Sequence, residues 1–511
     1  MVIFNPRQQE AVAFPRNTVV NASAGTGKTA TLVGAYLSRL TQGMQPGQIL
    51  AITFTEKAAA EMRDRLKREV LARASGLPAD SPPEVDWRRV LTGLSNAPIS
   101  TIHAFCAGLL KENPVEAGVD PHFIIWDEDE SSAVRREVIL NLTREHICAG
   151  HTGVQDLFRD LQLVQPSRHA PKHLTEVVEA ALRWLNGLGV DLERRGPRGH
   201  NWLEDRFAAQ RDRLSDMQGR FGLGCREVRQ AFRALAAIER AQGKAAQKLL
   251  HRIKADITDI ETALNRLSLD APADVASVCD TLADLVKVGN LGANPVDVPL
   301  RSYHEILRRW FGDKAVDGGL KACFAASKGV ELTHHLIALV DQIQAEYRRR
   351  KTAARSLDFD DLLTHARNLL KFRPTVRRRY KERFGAILVD EFQDTDELQG
   401  EIVCLLAEER GQERAFHLFD RYRTLLEQIV LDVHRLFIVG DPKQSIYRFR
   451  RADVGVFVAM AEKIVGTGVH GVALVENYRS SSSLLAFANG IFSTVMDGAG
   501  AHQLPPQTDT R

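Results

Sequence analysis

The 511-residue chain is poor in cysteine, with six residues (Cys106, Cys148, Cys225, Cys279, Cys323 and Cys404) spread far apart. None stand in the paired spacing of a zinc site, and they are too scattered to frame a disulfide-stapled miniature fold. They read as buried thiols in a reducing compartment. Long apolar runs are missing too. No stretch reaches the roughly 18 apolar residues of a membrane-spanning helix. The start, MVIFNPRQQE, has neither the basic opening nor the apolar core of a secretory signal. These absences predict a cytoplasmic protein with no membrane partner. A surplus of one charge is also lacking: 68 Lys and Arg face 65 Asp and Glu, for a net +3. No global basic field therefore argues for a polyanionic partner, and any such binding must come from local sites.

What is present is a globular composition, 44% hydrophobic and 26% charged, on a chain long enough for two or more domains. Residues 1–125 and 352–490 alternate short β-type runs (TVVNAS, ILAITFT, AILVDE, LFIVGD) with helical segments. That alternation predicts an α/β fold with a parallel sheet. Residues 126–351 have almost no such runs, which predicts a large helical insertion domain interrupting the sheet. Within it Leu250, Ile253, Ile257, Ile260, Leu264 and Leu267 step by three and four, the seam of a packed helix. The basic runs YRRRK (347–351) and RRRYKER (377–383) read as solvated helix faces. Residues 491–511 read as a polar tail or the start of a further lobe.

The stretch VVNASAGTGKTATL, residues 19–32, carries the first chemistry. Gly25 and Gly27 let the backbone approach a phosphate and turn its N–H groups inward, and the helix that follows adds its positive dipole end. Lys28 can reach the β- and γ-phosphates and the Thr29 hydroxyl can hold Mg²⁺, so the ATP cradle comprises Ala22, Ser23, Ala24, Gly25, Thr26, Gly27, Lys28 and Thr29. FGAILVDEFQDTD supplies the acids: a buried apolar strand ending in Asp390, placed to hold Mg²⁺ beside the loop, and in Glu391, placed to orient and deprotonate water. Loop and acids together predict nucleotide hydrolysis needing only ATP and Mg²⁺.

Six collinear segments, ASAGTGKT, AITFTEKAAAEMRDRL, ISTIHAFC, ILVDEFQDTDELQ, LFIVGDPKQSIYRFRRADVGVF and ENYRS, resemble UvrD/Rep-type superfamily 1 DNA helicases, most of all the RecB/AddA branch of helicase–nuclease subunits that process double-strand breaks. The resemblance implies a RecA-like P-loop lobe in which Gln8 of FNPRQQEA reads the adenine edge and Tyr478 stacks on its face. It implies that Arg479 reaches the γ-phosphate, where a planar guanidinium suits phosphate oxygens. Gln444 of GDPKQS would sense that phosphate and relay its loss. Single-stranded DNA, or a DNA end, is the implied partner, met by Thr53, Phe54, Thr101, His103, Tyr447 and Phe449. Aromatics alternating with Arg448, Arg450 and Arg451 suit base stacking and phosphate contact without a sequence code.

The family's second RecA-like lobe and nuclease domain have no counterpart here, so no nuclease activity is expected. Three arrangements follow: the ATP-binding half of a helicase unwinding 3′→5′; a split subunit completed by a partner chain or joined by an AddB/RecC-like subunit; or a non-catalytic, nucleotide-gated DNA-binding module. The segment RGQERAFHLFDRYRTLLEQIVLDVHR, between Glu391 and Gly440, is long for a connection and carries no functional reading.

Overall fold

A computed structural model of the chain describes residues 4–13, 16–75, 85–160, 174–187, 202–255, 298–311, 319–416, 422–447, 451–466, 471–495 and 508–509, with 258, 262 and 279. The chain divides into two compact units. The first comprises Met1–Ala133, Arg183–Val190 and Arg349–Arg511, the second Val134–Leu182 and Asp191–Arg348.

The first unit is built on a six-stranded sheet. Its strands are β1 (Thr18–Ala22), β2 (Ile49–Thr53), β3 (Ile99–Thr101), β6 (Ala386–Val389), β7 (Leu436–Gly440) and β8 (Gly471–Leu474), in the order β3-β2-β6-β7-β1-β8. All five adjacent pairs are parallel. β4 (Ile124–Ile125) and β5 (Ser356–Leu357) form a separate parallel pair. Every residue of β2, β6 and β7 is buried, which explains their unbroken apolar spelling: helices cover both faces, so neither face needs polar alternation. Successive side chains still point to opposite sides. Leu50, Ile52, Ile387, Val389, Leu436 and Ile438 join one core, while Ile49, Ala51, Ala386, Leu388, Phe437 and Val439 join the other.

The second core holds α2 (Lys28–Thr41), α3 (Glu56–Ser75) and α4 (Trp87–Gly93), with α1 (Pro6–Ala13) packed on α2. The first holds α5 (Ile102–Glu112) and the helices Phe359–Phe372, Glu397–Ala407 and Val454–Gly466. Because the strands are parallel, the loops leaving β1, β2, β3, β6 and β7 emerge along one edge of the sheet. That edge carries the conspicuous motifs.

The second unit is helical among its described residues. The helices Trp202–Ala236, Lys244–Ala255 and Val298–Phe311 share a core of Phe221, Val228, Phe232, Leu249, Ile253 and Leu307. Trp310 Nε1 donates to Glu227 across 2.8 Å. Of the apolar seam, Leu250 and Ile253 are buried on Lys244–Ala255; Ile257, Ile260, Leu264 and Leu267 lie outside the described residues. No described helix is long and apolar enough to cross a membrane.

Two expectations need correction. Cys148 is exposed, whereas the other five cysteines are buried. The basic runs are not wholly solvated. On the helix Pro374–Arg383, Arg377 and Lys381 stand four residues apart on one face and are completely buried. Glu408 accepts from Arg377 Nε at 2.9 Å and from Lys381 Nζ at 3.0 Å, and Glu413 pairs with Lys381 at 2.5 Å. Lys351 is likewise buried against Asp358 and Asp361. Only residues on the outer face, such as Arg378 and Arg383, are more than 40% exposed. The long segment after Ala407 supplies half of this cluster. It folds back through a bridge from Glu408 to Leu431 and through the helix Tyr422–Gln428, whose Tyr422 hydroxyl donates to the Val456 carbonyl.

Removing one partner of a buried ion pair leaves an uncompensated charge, which costs about 3–5 kcal/mol. We therefore expect Glu408→Ala to lower stability by about that much in denaturant unfolding. Arg383→Ala, which removes an exposed pair with Glu112, should change it by less than about 1 kcal/mol. Equal effects would contradict the buried cluster.

Candidate functional site

β1 ends at the buried Ala22, and the chain turns through residues 23–27 into α2. Gly25 and Gly27 have φ of 78° and 86°, the left-handed region that only glycine adopts without strain. Proximity demands glycine as well. A Cβ on Gly25 would lie 2.7 Å from Asn477 Oδ1 and 2.8 Å from Arg479 Cβ, and one on Gly27 would lie 2.8 Å from Gln8 Nε2. The Thr26 hydroxyl donates to the Ser23 carbonyl at 2.8 Å and closes the loop. No side chain caps the amino end of α2, which leaves its first N–H groups and the positive end of its dipole open to an anion. Thr29 follows Lys28 in the first turn.

Lys28 Nζ donates to Glu391 Oε2 at 2.8 Å and to Gln444 Oε1 at 3.3 Å. Three segments distant in sequence thus meet on one ammonium. Asp390 is held by its N–H to the Ile52 carbonyl and accepts from the Glu391 N–H. Burial, reinforced by the neighbouring Glu391 charge, pushes its carboxyl up to about 6, against the pull of Lys28. Glu391 has φ 49° and ψ 45°, a left-handed conformation that costs a non-glycine residue on the order of 1–3 kcal/mol. That turn ends the alternation of the strand and brings the carboxylate to Lys28.

Sequence reading passed over Gln393, the amide inside DEFQD. Its Nε2 donates to Glu391 Oε2 at 2.8 Å, and its Oε1 accepts from the Asp441 N–H at 2.9 Å. It packs so closely on β7 that a Cβ on Gly440 would lie 2.7 Å from Gln393 Oε1. Gln444 Nε2 in turn donates to Asp441 Oδ2 at 2.7 Å. The loops after β6 and β7 are locked together by amides, which supply a donor and an acceptor at once.

The ENYRS segment is tied directly to the glycine loop. Asn477 Nδ2 donates to the Ala24 carbonyl at 2.8 Å, and the Tyr478 N–H donates to the Gly25 carbonyl at 2.9 Å. The Arg479 side chain leaves exposed from beside Gly25. Tyr478 is 56% exposed; its hydroxyl donates to Glu476 and accepts from Asn5 Nδ2. Gln8 is buried with both ends of its amide engaged: Nε2 donates to the Thr26 carbonyl at 3.1 Å, and Oε1 accepts from the Asn5 N–H at 3.0 Å. In this structure Gln8 braces the loop. Asn5 and Asn477, which nothing in their spacing singled out, do the joining.

Along the same edge, Phe54 after β2 and Tyr447 after β7 stack with ring centroids 5.1 Å apart and planes 29° from parallel. Thr53 is buried, and its hydroxyl donates to the Thr55 carbonyl. Thr101 caps α5 by accepting from the Ala104 N–H and donates to Glu56 at 2.7 Å. His103 meets Phe359 edge-on at 5.5 Å; burial lowers its pKa, against the opposing charge of Asp360. Asp360 also accepts from Nη1 and Nη2 of Arg451, each at 3.0 Å. Arg451 has φ 70°, a second left-handed non-glycine residue. Phe449 lies outside the described residues. A partly open pocket of about 50 Å³ is lined by Thr53, Phe54 and His103 together with Asp390 and Glu391.

The chain is 27% identical to an ATP-dependent helicase/nuclease subunit of Lactococcus lactis subsp. lactis over 97% of its own length and 40% of the relative's. It is 29% identical to the protein of the same name from Levilactobacillus brevis, over 97% and 38%. To the exonuclease/helicase protein RexA of Lactococcus lactis subsp. cremoris it is 27% identical, over 97% and 40%. The chain therefore spans about two fifths of the length of these relatives. The family profile described as the UvrD/REP helicase N-terminal domain matches residues 4–464, and the chain belongs to that family.

Proposed function

We propose that the first unit binds and hydrolyses ATP with Mg²⁺ and couples the cycle to single-stranded DNA, as the ATP-binding part of a 3′→5′ DNA helicase acting in double-strand-break repair. The second unit would be a helical insertion in a RecA-like lobe. A further RecA-like lobe and an AddB/RecC-like subunit would complete the machine in the cytoplasm. The observation that carries this reading is the convergence of the glycine loop, the acid-bearing strand end and the GDPKQS loop on Lys28.

The residues fit the chemistry. Inward-facing N–H groups, Lys28 and the exposed Arg479 would meet the triphosphate, and Tyr478 would stack on the adenine. Thr29 and Asp390 would hold Mg²⁺, which screens phosphate charge when bound. Lys28 now neutralises Glu391. A γ-phosphate competes for that ammonium, and the exchange would free the Glu391 carboxylate to orient a water and take its proton, steadied by Gln393. The same exchange would release Gln444, whose loop continues to Tyr447. Loss of the phosphate restores both contacts. Nucleotide state would in this way reach the Phe54–Tyr447 ring pair.

Glu391→Gln should keep nucleotide affinity while lowering oligo-dT-stimulated ATP turnover by about 100-fold or more, and Lys28→Ala should lose both. Turnover equal to wild type in Glu391→Gln would remove it from the base role. Gly25→Ala, which adds a Cβ in a left-handed turn and against Asn477, should abolish binding of a fluorescent ATP analogue with the fold intact. Tyr447→Ala should weaken oligo-dT binding by about 1–3 kcal/mol, roughly 5- to 150-fold, at unchanged nucleotide affinity. An unchanged anisotropy titration would deny Tyr447 a stacking role.

A further inference from the structure

On the helical layer that packs against one face of the sheet lies a trough that the nucleotide and DNA readings do not use. Its floor is one face of α2, where Ala30, Val33, Gly34, Leu37, Ser38 and Thr41 follow the three-and-four spacing of residues stacked along a helix. One wall is Phe4 and Val12, the other is α3, and the open trough between them has a volume of about 610 Å³. Gly34 sets the depth of the first wall: a Cβ there would lie 2.7 Å from both the Phe4 ring and Val12. From Ala30 to Thr41 the floor runs roughly 16 Å at 1.5 Å per residue, the length of about three helical turns.

The α3 wall is basic. Arg65, Arg68 and Arg73 line it with a single acid, Glu69. Arg73 rests its guanidinium over the Trp87 ring at 5.2 Å, and its Nη1 is buried with no hydrogen-bond partner. Leaving such a donor unpaired is unfavourable, and a carboxylate entering the trough would satisfy it. An apolar floor flanked by unneutralised guanidinium groups complements a helix with an apolar stripe and an acidic edge, the groove mode of peptide recognition.

We propose that the trough between α1, α2 and α3 docks an acidic amphipathic helix of a partner protein, its apolar anchors against the half-exposed Phe4, Val12 and Ala30, above the buried Val33 and Leu37, and its carboxylates on Arg65, Arg68 and Arg73. The trough starts at Ala30, two residues past Lys28, and extends along α2 to Thr41.

The test uses the full chain and three fluorescein-labelled 14-residue peptides: one with leucines at i, i+4 and i+7 and glutamates beside them, a twin with lysine for glutamate, and a scrambled acidic control. The acidic peptide is expected to bind one-to-one with Kd below about 100 μM, more weakly as salt rises. The double variant Arg65→Glu/Arg68→Glu sits on the rim and should weaken it at least about tenfold while admitting the lysine twin. Ser38→Trp, which fills the floor, and Arg73→Gln should each weaken it, with unfolding midpoints confirming intact folds. The proposal is overturned if the acidic peptide fails to bind, if the scrambled peptide binds equally well, or if neither the charge reversal nor Ser38→Trp changes its affinity. Displacement of the peptide by ADP would reassign the trough to the nucleotide, and displacement by 2-naphthoate without one-to-one peptide binding would reassign it to small anions.

Discussion

Lys28 is a cation at the amino end of a helix, the end at which the helix dipole favours negative charge. It is stable there because Glu391 and Gln444 reach it from two other strand ends. Much of the first unit can be understood as what is needed to bring those groups together. A parallel sheet puts all strand ends on one edge. The order β6-β7-β1 places the acid strand one strand away from the glycine loop, within side-chain reach. Gln393 and Gln444 then fasten the intervening Asp441, which ties the loop after β6 to the loop after β7.

Rigidity of the layers behind that edge comes in part from buried charge. Arg377 and Lys381 on Glu408 and Glu413, Arg367 and Lys371 on Glu401, and Lys351 on Asp358 are all removed from solvent, with the half-buried Asp361 completing the last. Such pairs add little net stability over apolar packing, but they penalise any register that separates them. The helices Phe359–Phe372, Pro374–Arg383 and Glu397–Ala407 are registered to one another in this way. One end of that assembly presents Asp360 to Arg451 and Phe359 to His103, which connects the packing of the layer to the aromatic edge.

Strain gathers at the same edge. Among the described residues the non-glycine positions with positive φ are Arg355, Glu391 and Arg451. Two of the three carry a site contact, Glu391 to Lys28 and Arg451 to Asp360. Conformations of this kind persist where surrounding structure over-determines them, and here a short ion pair holds each. A change in either partner therefore alters backbone as well as side chain.

The apolar runs that became β1, β2, β6 and β7 were legible because a strand covered on both faces is spelled without interruption. β3 and β8 were not, since three or four residues hold too little pattern to stand apart from a loop. The glycine loop and the acid pair stand out in the sequence because their residues are adjacent in the chain. By itself the sequence determined the parallel α/β sheet and the family. Only the tertiary structure decided that Gln8 braces the loop through Thr26, that Arg377 and Lys381 turn inward, that Gln393 steadies Glu391 and that Arg451 is held by Asp360. The physical reason is distance along the chain. Arg451 and Asp360 are 91 positions apart and Lys28 and Glu391 are 363 apart, and a charge has no visible partner until the fold supplies one.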